Sequence, residues 1–181
     1  MKFKRTELPE VIEFFPSCFD DERGFFFESF NEKAFNKVVG HEINFVQDNH
    51  SFSKKDILRG IHYQLNPFSQ GKLVRVVEGA VIDVAIDLRS NSRDFGKWVS
   101  REISSSLNNQ LWIPQGFGHA FRVISDSVHF LYKTTAFYSK EHERVIIWND
   151  KDLNIDWGDG DIVLSPKDLD GKSLIDADVF D

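Results

Sequence analysis

The sequence predicts an all-β fold, a sandwich or barrel of short strands with one helix. Three observations carry this. Short runs rich in Val, Ile and aromatic residues recur along the chain, separated by turn signals about 8–12 residues apart. Helical periodicity is convincing only over 31–39. No repeat, low-complexity stretch or linker divides the 181 residues, so residues 1–181 read as a single domain.

The elements follow in order. Ile12 to Phe19 reads as an early strand, placed at an edge by Pro16. Asp20 to Gly24 is a turn, and Phe25 to Phe30 an aromatic strand containing Glu28. Asn31 to Val39 is the helix, with Asn31 as cap, Phe30, Phe35 and Val38-Val39 as its apolar side, and Gly40 as its stop. Ile43 to Val46 leads into a polar loop, Gln47-Asp48-Asn49-His50-Ser51, dense in donors and acceptors. Leu73 to Val77 and Ala80 to Leu88, joined by Glu78-Gly79, read as a hairpin. In that register Lys72, Val74, Val76, Val81, Asp83 and Ala85 share one face. Leu73, Arg75, Val77, Ile82, Val84 and Ile86 share the other. Trp98 to Ile103, Leu111 to Ile113, Phe121 to Ile124, Val128 to Thr134 and Val145 to Trp148 complete the strands. Glu141 to Arg144 reads as loop, and Asp168 sits in a Ser-Pro-Lys-Asp turn.

Composition narrows the function. The chain is 41% hydrophobic and 28% charged, as soluble domains are. The net charge of −7 opposes non-specific nucleic-acid binding but leaves room for a small anion held by local cations. One cysteine, Cys18, precludes an internal disulfide and a multi-cysteine zinc site. The start lacks the apolar run of a signal peptide, and no run approaches the ~20 apolar residues of a membrane span. These features predict a cytoplasmic protein. Most of the 18 phenylalanines are expected in the core, with some left to line a pocket or stack on a flat ligand.

The densest chemistry lies in Arg59-Gly60-Ile61-His62-Tyr63-Gln64. In a strand His62 and Gln64 share a face. Taken alone, His62 fits a hydrogen-bonded core histidine better than a catalytic one. His62-x-Gln64, Lys72 and Pro114-x-Gly116-x-x-His119 resemble the two motifs of the cupin jelly roll, which implies a cupin-type barrel with one or a few short helices. Two departures matter. The gap from Gln64 to Lys72 is longer than usual, and Lys72 stands where cupins carry a glutamate ligand. A protonated lysine has no lone pair for a metal, so the pattern reads as a cupin barrel with a cation in the metal's place. An ammonium beside a histidine suits proton abstraction next to a ketone, with the developing enolate oxygen stabilised by the cation. His62 is the natural base. Inversion also requires an acid on the opposite face of the carbon, and Tyr132 and Tyr138 are the available phenols.

Further motifs sharpen the resemblance. Asp21 to Phe30, Gln47 to Ser51, the Arg59 motif, Gln70 to Arg75, Trp112-Ile113-Pro114 and Phe130 to Thr135 are similar to the dTDP-4-dehydrorhamnose 3,5-epimerase family, in the same order and over nearly the whole chain. The resemblance implies that His62 removes protons from carbons 5 and 3 of the sugar, that Asp168 orients His62, and that Tyr132 returns a proton from the other face. It places Lys72 near the oxygen on carbon 4 and His119 in the same site. It assigns Arg23 and Arg59 to the pyrophosphate, Glu28, Gln47 and Asn49 to the nucleotide, Phe19 and Tyr138 to the thymine ring, and Glu143 to substrate binding. It implies no cofactor and no metal. It also implies a homodimer with exchanged N-terminal strands, so that Arg23 and Glu28 serve the partner's site.

The expected function is therefore inversion of carbons 3 and 5 of dTDP-4-dehydro-6-deoxy-D-glucose, supplying dTDP-rhamnose for surface polysaccharide. An epimerase acting at one carbon, a non-catalytic nucleotide-sugar binding module and a metal-dependent cupin oxygenase are the alternatives. His41, His50, His129 and His142 carry no assigned role.

Overall fold

The computed structural model describes residues 2–181. The strands are β1 (Lys2–Arg5), β2 (Ile12–Phe15), β3 (Phe19–Asp21), β4 (Gly24–Phe26), β5 (Gln47–Lys54), β6 (Leu58–Gln64), β7 (Lys72–Glu78), β8 (Ala80–Asp87), β9 (Trp98–Ser104), β10 (Gln110–Ile113), β11 (Phe117–Val123), β12 (Ser127–Thr134) and β13 (Glu143–Val145). The helices are α1 (Glu32–Val39) and α2 (Pro166–Leu169), followed by a 3-10 turn at Leu174–Asp176. Two sheets face each other as a jelly roll. The first has the order β1-β2-β10-β7-β12-β5 and the second β13-β6-β11-β8-β9, while β3 and β4 form a separate hairpin.

The core lies between the two sheets. Val74, Val76, Val81, Ala85, Val123, Val128 and Phe130 are among its buried members. Two further apolar clusters cover the outer faces. Leu153, Trp157, Leu174 and Phe180 from the C-terminal segment seal the second sheet. Phe35 of α1 packs with Phe14, Leu73 and Trp112 on part of the first. The helix forms as its sequence dictates. Asn31 accepts a hydrogen bond from the Ala34 amide, and Gly40 closes the helix at a φ of 96° that favours glycine.

Several expectations are corrected. β7 and β8 do not pair. Glu78-Gly79 is a corner that carries the chain from the first sheet to the second. The two faces were nonetheless partitioned correctly, because crossing the corner leaves alternate residues directed into the barrel. β2 is not an edge strand, since it lies between β1 and β10, and Pro16 falls just beyond it. The polar run 47–51 belongs to strand β5, not a loop, whereas 43–46 is not strand. Only Gly24–Phe26 of the expected aromatic strand is extended, and 143–145, not 145–148, forms the last strand. β11 begins at Phe117, so His119 lies within a strand. Asp168 lies in α2, capped by Ser165. The phenylalanines are not mostly core. Those at 14, 35, 117, 121, 130 and 180 are buried, but Phe19, Phe25, Phe26 and Phe52 are among eight that are exposed.

Candidate active site

One end of the space between the sheets is hollow. A cavity of about 120 Å³ is lined by Ser51, Arg59, His62, Lys72, His119, Phe121, Phe130 and Tyr132. β6 and β11 of one sheet supply Arg59, His62, His119 and Phe121, while β5, β7 and β12 of the other supply Ser51, Lys72, Phe130 and Tyr132. His62 and Tyr132 therefore enter from opposing walls.

Local backbone geometry presents β6 to the cavity. In its pairing with β11, His62 lies opposite His119 and Arg59 opposite Phe121, so β6 spends one extra residue between them. This bulge brings Arg59 and His62 to the same side, although three residues separate them. Gly60 permits it, with a φ of +126° and Ala120 so close that a Cβ on residue 60 would lie 2.5 Å from the alanine's own.

His62 Nε2 hydrogen-bonds Asp168 Oδ1 at 2.5 Å. Asp168 is buried, and its Oδ2 accepts from Ser165 Oγ at 2.7 Å. Burial alone would raise its carboxyl, but the bonds from His62 and Ser165 hold it below the usual aspartate value. The dyad leaves Nδ1 as the basic nitrogen of His62. On the facing wall, burial lowers the Lys72 ammonium to about 8, against the opposing pull of Asp83 and Glu143. Among the described residues Lys72 Nζ makes one weak hydrogen bond, 3.5 Å to the His62 carbonyl. Burial raises the Tyr132 phenol, which keeps it protonated and able to donate. His119 Nε2 lies 2.9 Å from Asp83 Oδ2, both side chains being buried.

A second group of residues is bound together around the turn after β12. Gln47 Nε2 donates to Asn49 Oδ1 at 2.8 Å, and Gln47 Oε1 accepts from the Tyr138 amide at 3.1 Å. The Tyr138 hydroxyl donates to Glu143 Oε2 at 2.9 Å, which raises the phenol. Burial raises the Glu143 carboxyl, but Lys167 and Tyr138 together hold it below its usual value. Asn49 also lines an adjoining groove of about 300 Å³ bordered by Tyr132. Arg59 Nε donates to Ser53 Oγ at 3.0 Å.

The chain thus unites His62, Tyr132, Asp168, Lys72, Arg59 and His119, with Gln47, Asn49, Tyr138 and Glu143 linked by hydrogen bonds. It does not bring in Phe19, Arg23 or Glu28. Arg23 is exposed and paired with Asp21 on the β3–β4 hairpin, Phe19 is exposed on the same hairpin, and Glu28 accepts from Asn31. Gln64, placed on the same strand face as His62 by alternation, does not line the cavity. Its amide binds the Phe68 and Phe137 carbonyls and the Ser139 amide, bracing the loops around β13. Ser165, Lys167 and Asp83 were not singled out as site residues. Asp83 left one signal, a lone carboxylate in an apolar run on the face shared with Lys72.

A jelly-roll barrel with a histidine–carboxylate dyad on one wall and a phenol and an ammonium on the other is equipped for proton transfer at a carbon beside a carbonyl. Comparison with known proteins gives the family. Residues 5–176 match the family model for dTDP-4-dehydrorhamnose 3,5-epimerase. The proteins so named from Shigella flexneri and Pseudomonas aeruginosa are 54% identical over 180 residues and 53% identical over 181, each match spanning 99% of both chains. The crystal structure of the dTDP-6-deoxy-D-glucose-3,5-epimerase from Legionella pneumophila, in complex with dTDP-4-keto-L-rhamnose, has a TM-score of 0.95 and 44% identity, covering 98% of this chain and 94% of that one. The chain belongs to the dTDP-4-dehydrorhamnose 3,5-epimerase family, an isomerase class built on the cupin-like jelly roll.

Proposed function

We infer that this chain inverts carbons 3 and 5 of dTDP-4-dehydro-6-deoxy-D-glucose, giving dTDP-4-dehydro-L-rhamnose. The observation that carries the reading is the placement of the His62–Asp168 dyad and Tyr132 on opposing walls of one cavity, with Lys72 beside them. His62 Nδ1 takes the proton from carbon 5. The electron pair moves toward the oxygen on carbon 4, where the Lys72 ammonium stabilises the enolate. Tyr132 delivers a proton to the other face, and the stereocentre inverts. Carbon 3 is treated in the same way after His62 releases its proton to solvent and Tyr132 takes one back from it. Asp168 stabilises the imidazolium between the steps.

Arg59 holds the pyrophosphate, and Gln47, Asn49, Tyr138 and Glu143 hold the nucleotide and sugar. Phe19, Arg23 and Glu28 act in the partner's site of a homodimer whose N-terminal strands are exchanged. That assignment is supported by their absence from the lining of this chain's own cavity and by exposed aromatic surface at Phe19, Phe25, Phe26 and Phe52 that invites cover. No helix among the described residues is long and apolar enough to cross a membrane. The reading places the enzyme in the cytoplasm, in dTDP-rhamnose synthesis for lipopolysaccharide or another surface polysaccharide.

The test is incubation with the 4-keto substrate in deuterium oxide. Label at both carbon 3 and carbon 5 supports the reading. Label at one carbon assigns a single-position epimerase. Tight dTDP binding without label assigns a binding module.

A further inference from the structure

Beside His119 lies a fully buried carboxylate, Asp83 of β8. Its Oδ2 hydrogen-bonds His119 Nε2 at 2.9 Å. Its Oδ1 is buried with no hydrogen-bond partner among the described residues. An unpartnered buried acceptor opposes folding, so packing alone gives no reason for a carboxylate here. Arg101, directly opposite in the β8–β9 pairing, does not supply the missing partner. Its guanidinium donates to Glu7 Oε2 at 2.6 Å and to the Ser100 carbonyl at 2.7 Å, and lies 3.7 Å from Glu13.

We propose that Asp83 is a positioning residue, whose charge fixes the Nε2 proton of His119 and keeps Lys72 protonated against the cavity wall. This rests on the epimerase reading above, since the charge on Lys72 matters only if an enolate forms beside it. With its proton held toward Asp83, His119 offers Nδ1 as an acceptor for a sugar hydroxyl, and that nitrogen has no partner of its own among the described residues. The Lys72 ammonium needs a counter-charge because it is buried and has no ion pair among the described residues. Asp83 is the first of the groups that favour its charged form, ahead of Glu143, while Lys167 opposes it. On His119, burial and the neighbouring charges of Lys72 and His62 disfavour a second proton, and Asp83 alone opposes them. Burial raises the Asp83 carboxyl above the usual aspartate value, against the opposing pull of His119 and Lys72, so the three groups form one electrostatic unit.

The variant is Asp83→Asn, which keeps the shape and an acceptor but removes the charge. Relative to wild type, kcat falls at least tenfold at pH 7.5, KM stays within about threefold, and the alkaline limb of kcat moves at least one unit toward acid, because Lys72 now loses its proton earlier. A purely structural aspartate would lower the melting temperature and leave that limb in place, which overturns the proposal. If the variant does not fold, ¹⁵N-histidine NMR of the wild-type protein decides. A proton on His119 Nε2 between pH 6 and 9 supports the proposal, and a bare Nε2 overturns it. Wild-type protein that exchanges no proton at carbons 3 and 5 overturns the epimerase reading and this one with it. Active wild type with an unshifted Asp83→Asn profile overturns only the role of Asp83.

Discussion

Replacing Asp168 with asparagine removes one charge and leaves the shape of the dyad. Ser165 Oγ donates to Asp168 Oδ2, so in Asp168→Asn the amide oxygen takes that bond and the NH2 group turns to His62. An NH2 group donates where the carboxylate accepted, so His62 carries its proton on Nδ1, facing the cavity, and has no lone pair for the substrate. The imidazolium also loses a charge-assisted hydrogen bond of about 1.5–3 kcal/mol. Together these effects predict a fall in kcat of about 10²–10⁴, or roughly 2.7–5.4 kcal/mol of barrier. The assay is initial-rate exchange of the carbon 5 proton followed by NMR, with dTDP affinity measured alongside. Binding within about threefold of wild type is expected, because Asp168 touches no group assigned to the nucleotide. Exchange within tenfold of wild type would refute the role given to the dyad. The same variant tests linkage. The folded Asp168 carboxyl lies below its unfolded value, so its ionisation contributes stability above about pH 4 that is lost as the pH falls through the folded value. The melting temperature of wild type therefore drops more between pH 6 and pH 3 than that of Asp168→Asn, as calorimetry would show.

Tyr132→Phe separates abstraction from inversion. Product formation falls by about 10²–10⁴ while deuterium still washes into the substrate from the His62 side, and loss of both together would mean that Tyr132 acts elsewhere. Lys72→Met replaces a buried ammonium by an apolar chain of similar length. It lowers kcat by about 10²–10³ while the melting temperature holds or rises, and a large drop in melting temperature would contradict the account of Lys72 as a costly functional charge. With Lys72 titrating at about 8, wild-type kcat declines above that pH, a limb absent from Lys72→Met and visible in a pH–rate profile. Gly60→Ala strains a positive φ and drives a methyl into Ala120. It costs roughly 2–3 kcal/mol, about 4–12 °C in melting temperature, and a shift under 2 °C would mean that the bulge rearranges freely.

The residues explain why some of this was legible in the chain and some was not. The inward set Lys72, Val74, Val76, Val81, Asp83 and Ala85 could be read because strand alternation is local and survives the passage between sheets. Whether Glu78-Gly79 is a hairpin turn or a corner is not local. It depends on β12 and β10 competing for β7, and on β11 and β9 competing for β8. β5 escaped recognition because both of its faces are polar near Gln47, so alternation carries no hydrophobic signal there. Asp168 read as a turn residue because its partner lies 106 positions away, and only the fold brings α2 against β6. The family's motifs reached these positions by resemblance, which is why the site residues were nameable before the strands that carry them were correctly paired. The bulge at Gly60 left no pattern in the sequence beyond the glycine itself.

The central claim is that one base, His62, works from one wall and one acid, Tyr132, from the other. The most direct measurement is the position and stereochemistry of deuterium after a single turnover of the 4-keto substrate in deuterium oxide. The account predicts label at carbons 3 and 5, each on the face opposite the proton that was removed, and no product from His62→Ala under the same conditions. Inverted product that retains its original protons at both carbons, or full turnover by His62→Ala, would contradict it.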